Sequence, residues 1–71
     1  MTAVVERWMQ VRRAHAAELL RQAQAALRSV EVTASHNPDP LWAEEVVRCR
    51  KSVEAAQEAL AEFDRALLAQ S

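Results

Sequence analysis

The residues of this chain that could do chemistry are one cysteine, two histidines and a set of carboxylates. Cys49 has neither histidine at a spacing typical of a metal-binding motif, so we expect no bound metal ion. Glu54, Glu58 and Glu62 recur every four residues, which on a helix places them together on one solvated face. We therefore predict no catalytic site, no cofactor and no metal, and we expect that the protein is not an enzyme.

Length and composition define the broad class of protein. The chain has 71 residues, which is enough for a single domain over residues 1–71 and for only a small core. It contains no glycine and 51% hydrophobic residues, many of them alanine. This composition strongly favours continuous helices over sheets, tight turns or phosphate-binding loops.

Charge and hydropathy indicate where the protein works. The net charge is −1, so the basic surface typical of nucleic-acid-binding proteins is missing. No apolar run approaches the roughly 20 residues that span a bilayer, and the N-terminus lacks the charged-then-apolar order of a signal peptide. A lone cysteine is typical of a reducing compartment. We therefore expect a soluble, cytoplasmic protein that neither binds nucleic acid nor inserts into a membrane.

Both prolines lie near the midpoint of the chain and divide it into two parts. Pro38 and Pro40 lack backbone N–H donors, and each disfavours helical geometry in the residue before it. Asp39 before Pro40 is typical of a helix start, with aspartate as the N-cap and proline in the first turn. We therefore predict helices over about 3–31 and 40–70 that are joined by this turn.

Apolar residues form one stripe along each predicted helix when residues are placed at 100° steps. On the first helix the stripe consists of Val5, Trp8, Met9, Ala16, Leu19, Ala23, Ala26, Leu27 and Val30. On the second helix it consists of Trp42, Val46, Cys49, Val53, Ala56, Leu60 and Leu67, with Phe63 and Leu68 at its margins. Because the connection is short, we expect the stripes to face each other in an all-α, antiparallel two-helix hairpin that resembles a coiled coil.

Two charged residues fall near the centres of these stripes, Arg12 on the first helix and Asp64 on the second. In a hairpin folded about His36 they lie about one helical turn apart, and helical side chains lean toward the N-terminus of their own helix. We therefore predict an ion pair between Arg12 and Asp64 that sets the register of the helices. The alternative is that each side chain is solvated separately.

A second set of apolar residues lies on the flanks of the two stripes, near the free ends of the helices. It consists of Val4, Trp8, Val11 and His15 on the first helix and of Ala59, Phe63 and Ala66 on the second. Helical geometry places both rows on one side of the hairpin. Exposed apolar surfaces with aromatic residues are typical of protein-binding sites, so we predict a partner interface here. The alternative is that Trp8 and Phe63 turn inward and close the open end.

Three segments carry a resemblance to a known family: His15–Leu27 in the first helix, Asp39–Trp42 at the start of the second, and Ser52–Ala56 further along. In these segments the chain resembles the small E-type co-chaperones of type III secretion needle subunits. That family tends to have an aromatic residue in the first turn of its second helix, where this chain has Trp42. It also tends to have an aliphatic-Glu-small-small step, which Val53–Ala56 matches.

The resemblance implies an antiparallel helical hairpin with a role that involves no catalysis. A protein of this family pairs in the bacterial cytoplasm with a larger helical-repeat chaperone. The two together hold the needle subunit and prevent its early polymerisation, and the small partner chiefly stabilises the larger chaperone.

Two other functions stay open at this point. In the first, two hairpins bury their flanks against each other as a homodimeric four-helix bundle with a structural or regulatory role. In the second, the arginines of the first helix serve in a nucleic-acid adaptor, although the net charge argues against it. Those arginines are Arg7, Arg12, Arg13, Arg21 and Arg28.

Overall fold

In the computed structural model, which describes residues 2–70, the chain folds into two α-helices, α1 (Thr2–Ser35) and α2 (Pro40–Gln70). The helices lie side by side and antiparallel, in a hairpin that measures 56 × 15 × 12 Å. The predicted all-α hairpin is confirmed, and no strand is present among the residues described. The bounds of α2 agree with the predicted range.

The first helix is longer than predicted, because it continues past residue 31 to Ser35. The β-branched residues Val32 and Thr33 reduce helix propensity by no more than about 0.7 kcal/mol each, so they do not end it. Thr33 Oγ1 donates a hydrogen bond to the carbonyl of Ser29 at 3.1 Å, and Ser35 Oγ donates to the carbonyl of Val32 at 2.7 Å. These side chains remain compatible with helical backbone through the last turn.

The connection between the helices begins with a tightened last turn of α1. The backbone N–H of His36 donates to the carbonyl of Thr33 at 3.1 Å, and that of Asn37 donates to the carbonyl of Ala34 at 3.3 Å. Hydrogen bonds of this three-residue type satisfy carbonyls that the end of a helix would otherwise leave without a donor.

The second helix begins at Pro40 with an aspartate cap. Asp39 Oδ1 accepts a hydrogen bond from the backbone N–H of Leu41 at 3.0 Å, in the manner of an N-cap. The backbone N–H of Asp39 donates in turn to Oδ1 of Asn37 at 3.1 Å, which closes a local turn across Pro38. The turn therefore orders the connection and starts α2 at a defined residue.

The seam between the helices follows a coiled-coil repeat. Residues that are buried or half-buried alternate at steps of three and four, which gives the 3.5-residue period of that architecture. The seam consists of Met9, Arg13, Ala16, Leu20, Ala23, Leu27, Val30 and Ala34 on α1, and of Trp42, Val46, Cys49, Val53, Ala56, Leu60, Phe63 and Leu67 on α2.

On α1 five of the nine residues of the predicted stripe lie in the seam, and the other four, Val5, Trp8, Leu19 and Ala26, are exposed. Leu19, which was expected to face α2, is 47% exposed, and Leu20 is half-buried in its place. Ala26 is likewise exposed, as is Arg12, and Arg13 takes the seam position. Steps of 100° drift by about 20° in every heptad from a strict 3.5-residue repeat, and this drift accounts for the error.

Candidate protein-interaction surface

The ion pair near the open end joins Asp64 to Arg13, so the predicted pairing of Asp64 with Arg12 is wrong. Arg13 Nε donates to Oδ1 of Asp64, and Arg13 Nη2 donates to Oδ2 at 3.4 Å. The two side chains remain 40% and 47% exposed. The hydrogen bond from Arg13 holds the pKa of Asp64 below its ordinary value of 3.8. Arg13 takes this role because the 3.5-residue repeat brings it into the seam.

Arg12 packs against an aromatic ring instead. Its guanidinium carbon lies 5.1 Å from the centre of the Trp8 ring, which is one turn earlier on the same helix. A cation at this distance is attracted by the ring face, and the contact restricts the orientation of the indole. Trp8 nevertheless remains 59% exposed.

An open-end cleft of about 270 Å³ lies between the free ends of the helices. It brings together three of the residues predicted for the partner interface: Trp8 from α1 and Phe63 and Ala66 from α2. Its remaining walls are formed by Val5, Met9 and Glu62. Phe63 is half-buried in the seam beside the cleft, whereas Trp8 stays largely outside it.

The other residues predicted for the interface are exposed but do not line this cleft. Val4 is 73% exposed and Val11 is 63% exposed, and with Trp8 and His15 they form a row that we call the outer stripe of α1. Helical geometry places this stripe on the side of α1 away from α2. Ala59 is exposed one turn from Phe63 on α2.

A second cleft, of about 560 Å³, lies at the turn end and was not predicted as a site. Val30, Leu41 and Trp42 form its apolar walls, and Asp39 and Glu45 form its acidic ones. Both acids already have partners in the chain, since Asp39 caps α2 and Glu45 pairs with Arg48. The consecutive apolar residues after Pro40 were the only signal in the sequence that could have revealed it.

Several surface ion pairs lie along the hairpin without forming a site. Arg50 of α2 contacts Glu31 of α1 at 3.3 Å across the seam, and Arg65 contacts Glu58 at 3.0 Å along α2. On α1, Arg21 pairs with Glu18, and its hydrogen bond lowers the pKa of that carboxyl. These pairs are exposed, and pairs of that kind contribute little to the free energy of folding.

Residues suited to chemistry are dispersed in the hairpin. Among residues 2–70 no three histidine, cysteine or acidic side chains come together as a metal site. Cys49 is half-buried in the seam, with its Sγ 3.9 Å from a carboxylate oxygen of Glu45. His15 and His36 are both exposed. Neither of the described helices is long and apolar enough to cross a bilayer.

Three of the five arginines of α1 already make contacts with other described residues, and Arg7 and Arg28 are exposed. Arg13 and Arg21 are paired with the carboxylates of Asp64 and Glu18. A third, Arg12, lies against an indole ring. The contacts of these side chains weaken the case for a nucleic-acid adaptor, which depends on free cations in a row.

Similarity to known proteins provides no identification. Comparisons of the chain with models of protein families, with curated proteins and with solved structures find no match. The relation to type III secretion co-chaperones therefore remains a prediction from the three resembling segments. The functional interpretation depends on the geometry of the surface itself.

Residues missed at the sequence level contribute to this surface. Val5 and Met9 were assigned wholly to the seam, and Glu62 was assigned to a solvated row, yet all three line the open-end cleft. Glu62 precedes Phe63 in the sequence. Because Phe63 lies in the seam, Glu62 is placed at the edge of the seam, where it lines the cleft. Val5 is 48% exposed and contributes apolar area outside the seam.

Proposed function

We propose that this chain is a non-catalytic protein-interaction module that binds a larger helical protein through the open end of the hairpin. The observation that supports this most directly is the exposure of Trp8, with Val4 and Val11 exposed beside it on the same helix face. A large aromatic side chain among exposed aliphatic ones is typical of the centre of a protein-binding site. Contact of these side chains with water is unfavourable, and a partner would remove it.

The total exposed surface supports the same proposal. The chain exposes 5453 Å², whereas a compact monomer of its mass is expected to expose about 4,450 Å². The excess of roughly 1,000 Å² is similar to the ~800 Å² that each protein contributes to a standard interface. The elongated shape of the hairpin accounts for this area, and a partner laid along it would cover the apolar part.

Within this class, the role that we propose is that of a bacterial cytoplasmic co-chaperone in type III secretion. The chain would bind and stabilise a larger helical-repeat chaperone, and the complex would hold a needle subunit unpolymerised. The three resembling segments support this role, and so does the two-helix hairpin, which is the fold that the resemblance implies. A small core is compatible with it, since Ala16 and Val53 are the only described residues that are buried.

A homodimeric four-helix bundle with a structural or regulatory role is the second candidate. In a symmetric dimer the same patch of both copies meets itself. If two outer stripes met, Arg7 and Arg12 would lie close to the same arginines of the other copy, and such like-charge contacts are unfavourable. We therefore favour a different protein as the partner.

Co-expression of the tagged chain with the type III secretion chaperone and needle subunit of its own bacterium tests the proposed role. We expect a soluble complex whose mass in light scattering equals one copy of each protein, and a chaperone that becomes insoluble when the chain is omitted. A chain that elutes alone as a stable homodimer, and leaves the chaperone unchanged, would contradict the role in secretion.

Two alanine variants test the position of the interface. Trp8→Ala and Phe63→Ala should each weaken binding of the chaperone about thirtyfold, as is typical for an aromatic residue at the centre of an interface. Val47→Ala is the matched control, because Val47 is 50% exposed and lies toward the turn end of α2. Helicity of the free chain should be unchanged in Trp8→Ala and Val47→Ala, whereas Phe63→Ala also removes packing in the seam and should lower helicity. If helicity collapses in Trp8→Ala, the indole belongs to the core and the interface is elsewhere.

A further inference from the structure

On α1 itself, the exposed charges beside the outer stripe are all basic. Between Ala3 and His15 the exposed charged residues are Arg7 and Arg12. Neither forms an ion pair with another residue in the range 2–70. The one acid of this stretch, Glu6, is half-buried and lies toward the seam. The stripe therefore presents an apolar surface with unpaired positive charge at its edges on α1, and Glu62 of α2 is the exposed acid that lines the open-end cleft next to Trp8.

The spacing of the outer stripe is that of a second helix-packing seam. Val4, Trp8, Val11 and His15 follow at steps of four, three and four, which is the same repeat that packs α1 against α2 on the opposite side. The repeat ends where Glu18 occupies the next position. The stripe is roughly 18 Å long at the rise of an α-helix, so it matches about three turns of one partner helix.

We infer that the outer stripe binds a single amphipathic helix of a different protein, and that this helix carries acidic residues beside its apolar face. The inference rests on the protein-interaction role proposed above and specifies the partner. Contacts with Trp8 and the neighbouring valines provide most of the affinity. Carboxylates that face Arg7 and Arg12 provide orientation and selectivity, because complementary charge mainly rejects wrong partners and speeds association.

A second copy of the chain fits this surface less well. Its own outer stripe carries the same two arginines, which would repel. Its α2 exposes large apolar side chains at Leu41, Val47 and Leu68, and the outer face between Val47 and Leu68 exposes no other large apolar residue. The outer face of α2 in a second copy therefore lacks a continuous apolar stripe, so it could not pack along the full outer stripe of α1.

Designed helical peptides provide the test. Three labelled peptides of three heptads share one leucine stripe and differ only in the flanking residues, which are glutamate, lysine or glutamine. In fluorescence anisotropy at low salt, the glutamate peptide should bind the full chain about fivefold more tightly than the lysine peptide, the size expected for an exposed charge contact. The difference should shrink in high salt, because salt screens exposed charges.

Variants separate charge from apolar contact. Arg12→Glu should abolish or reverse the preference for the glutamate peptide. The matched control, Arg28→Glu, changes an exposed arginine on the same helix outside the stripe and should preserve the preference. Trp8→Ala should weaken the binding of all three peptides by a similar factor, because it removes apolar contact.

The possible outcomes distinguish this inference from the proposed function. If the glutamate and lysine peptides bind equally, the inference that the partner helix is acidic is overturned. A co-purified chaperone would still support the role in secretion. If none of the peptides binds, or if the chain self-associates and excludes them, the inference that a single helix binds the outer stripe is overturned. Binding of the glutamate peptide with no co-purified chaperone would support the inference and contradict the role in secretion.

Discussion

Arg13 of α1 and Asp64 of α2 pair across the seam, although 51 positions separate them in the chain. Arg13 occupies a place in the coiled-coil repeat where an apolar side chain would usually lie. A charged or polar residue at such a place typically specifies register, because any slip of the helices leaves it without a partner. The pair is partly exposed, so we expect it to select one alignment more than to add stability.

The first prediction concerns exchange of the two charges. Arg13→Asp or Asp64→Arg alone should place like charges together and lower the melting temperature by a few degrees. The double variant with both changes should recover most of the loss, because it restores opposite charges at the same positions. Thermal unfolding followed by circular dichroism, analysed as a double-mutant cycle, measures the coupling.

Arg12 supplies the control for this experiment. Arg12→Asp combined with Asp64→Arg should show no recovery, since Arg12 lies against Trp8 and does not contact Asp64. If this pair recovers stability and the pair with Arg13 does not, then the register differs from the one described.

The second prediction concerns acid. The hydrogen bond from Arg13 lowers the pKa of Asp64 in the folded state, so the folded chain favours the ionised carboxyl. The contribution is therefore complete above the ordinary pKa of 3.8 and is lost as the pH falls through the lower folded value. The melting temperature should fall from about pH 5 to about pH 2, and it should fall less in Asp64→Asn.

Glu18 contributes to the same acid dependence and must be removed to isolate it. Its pKa is lowered by the hydrogen bond from Arg21, so it also stabilises the folded state above its ordinary pKa and loses that effect in acid. Glu18→Gln should remove a separate part of the slope. An Asp64→Asn variant with the same acid slope as the original chain would exclude the ion pair as its source.

The seam of α2 could be predicted from sequence because large residues mark it. Val53 and Leu60 stand seven residues apart, and each has only polar or small neighbours, so small errors in the assumed period do not change their assignment. The proline-bounded start at Asp39 was equally clear, because the cap is encoded by adjacent residues.

The seam of α1 could not be read with the same certainty. Arg12 and Arg13 are adjacent and identical in type, and so are Leu19 and Leu20, so composition alone does not decide which member faces α2. That choice depends on supercoiling against the partner helix, which changes the effective period from 3.6 to 3.5 residues. The open-end cleft could not be predicted for the same reason. Its walls depend on how each helix is rotated about its own axis relative to the other helix.

The third prediction concerns the cap of α2. Asp39→Ala removes the acceptor for the N–H of Leu41 and should reduce the free energy of unfolding by about 1 kcal/mol, as is typical for loss of an N-cap. Asp39→Asn retains a side-chain acceptor and should remain close to the original stability. Urea unfolding followed by circular dichroism measures both. Equal losses in the two variants would mean that the carboxylate charge matters and the cap does not.

The fourth prediction compares two valines of α2 to ask whether the seam holds the free chain together. Val53 is 8% exposed in the seam, whereas Val47 is 50% exposed on the outside. Val53→Ala removes buried methyl groups and should cost about 1 kcal/mol after the better helix propensity of alanine is included. Val47→Ala should be close to neutral, because the better helix propensity of alanine offsets the small loss of apolar contact at an exposed position. Urea unfolding of both variants without a partner decides the point, and equal small effects would indicate that the helices pack stably only when a partner is bound.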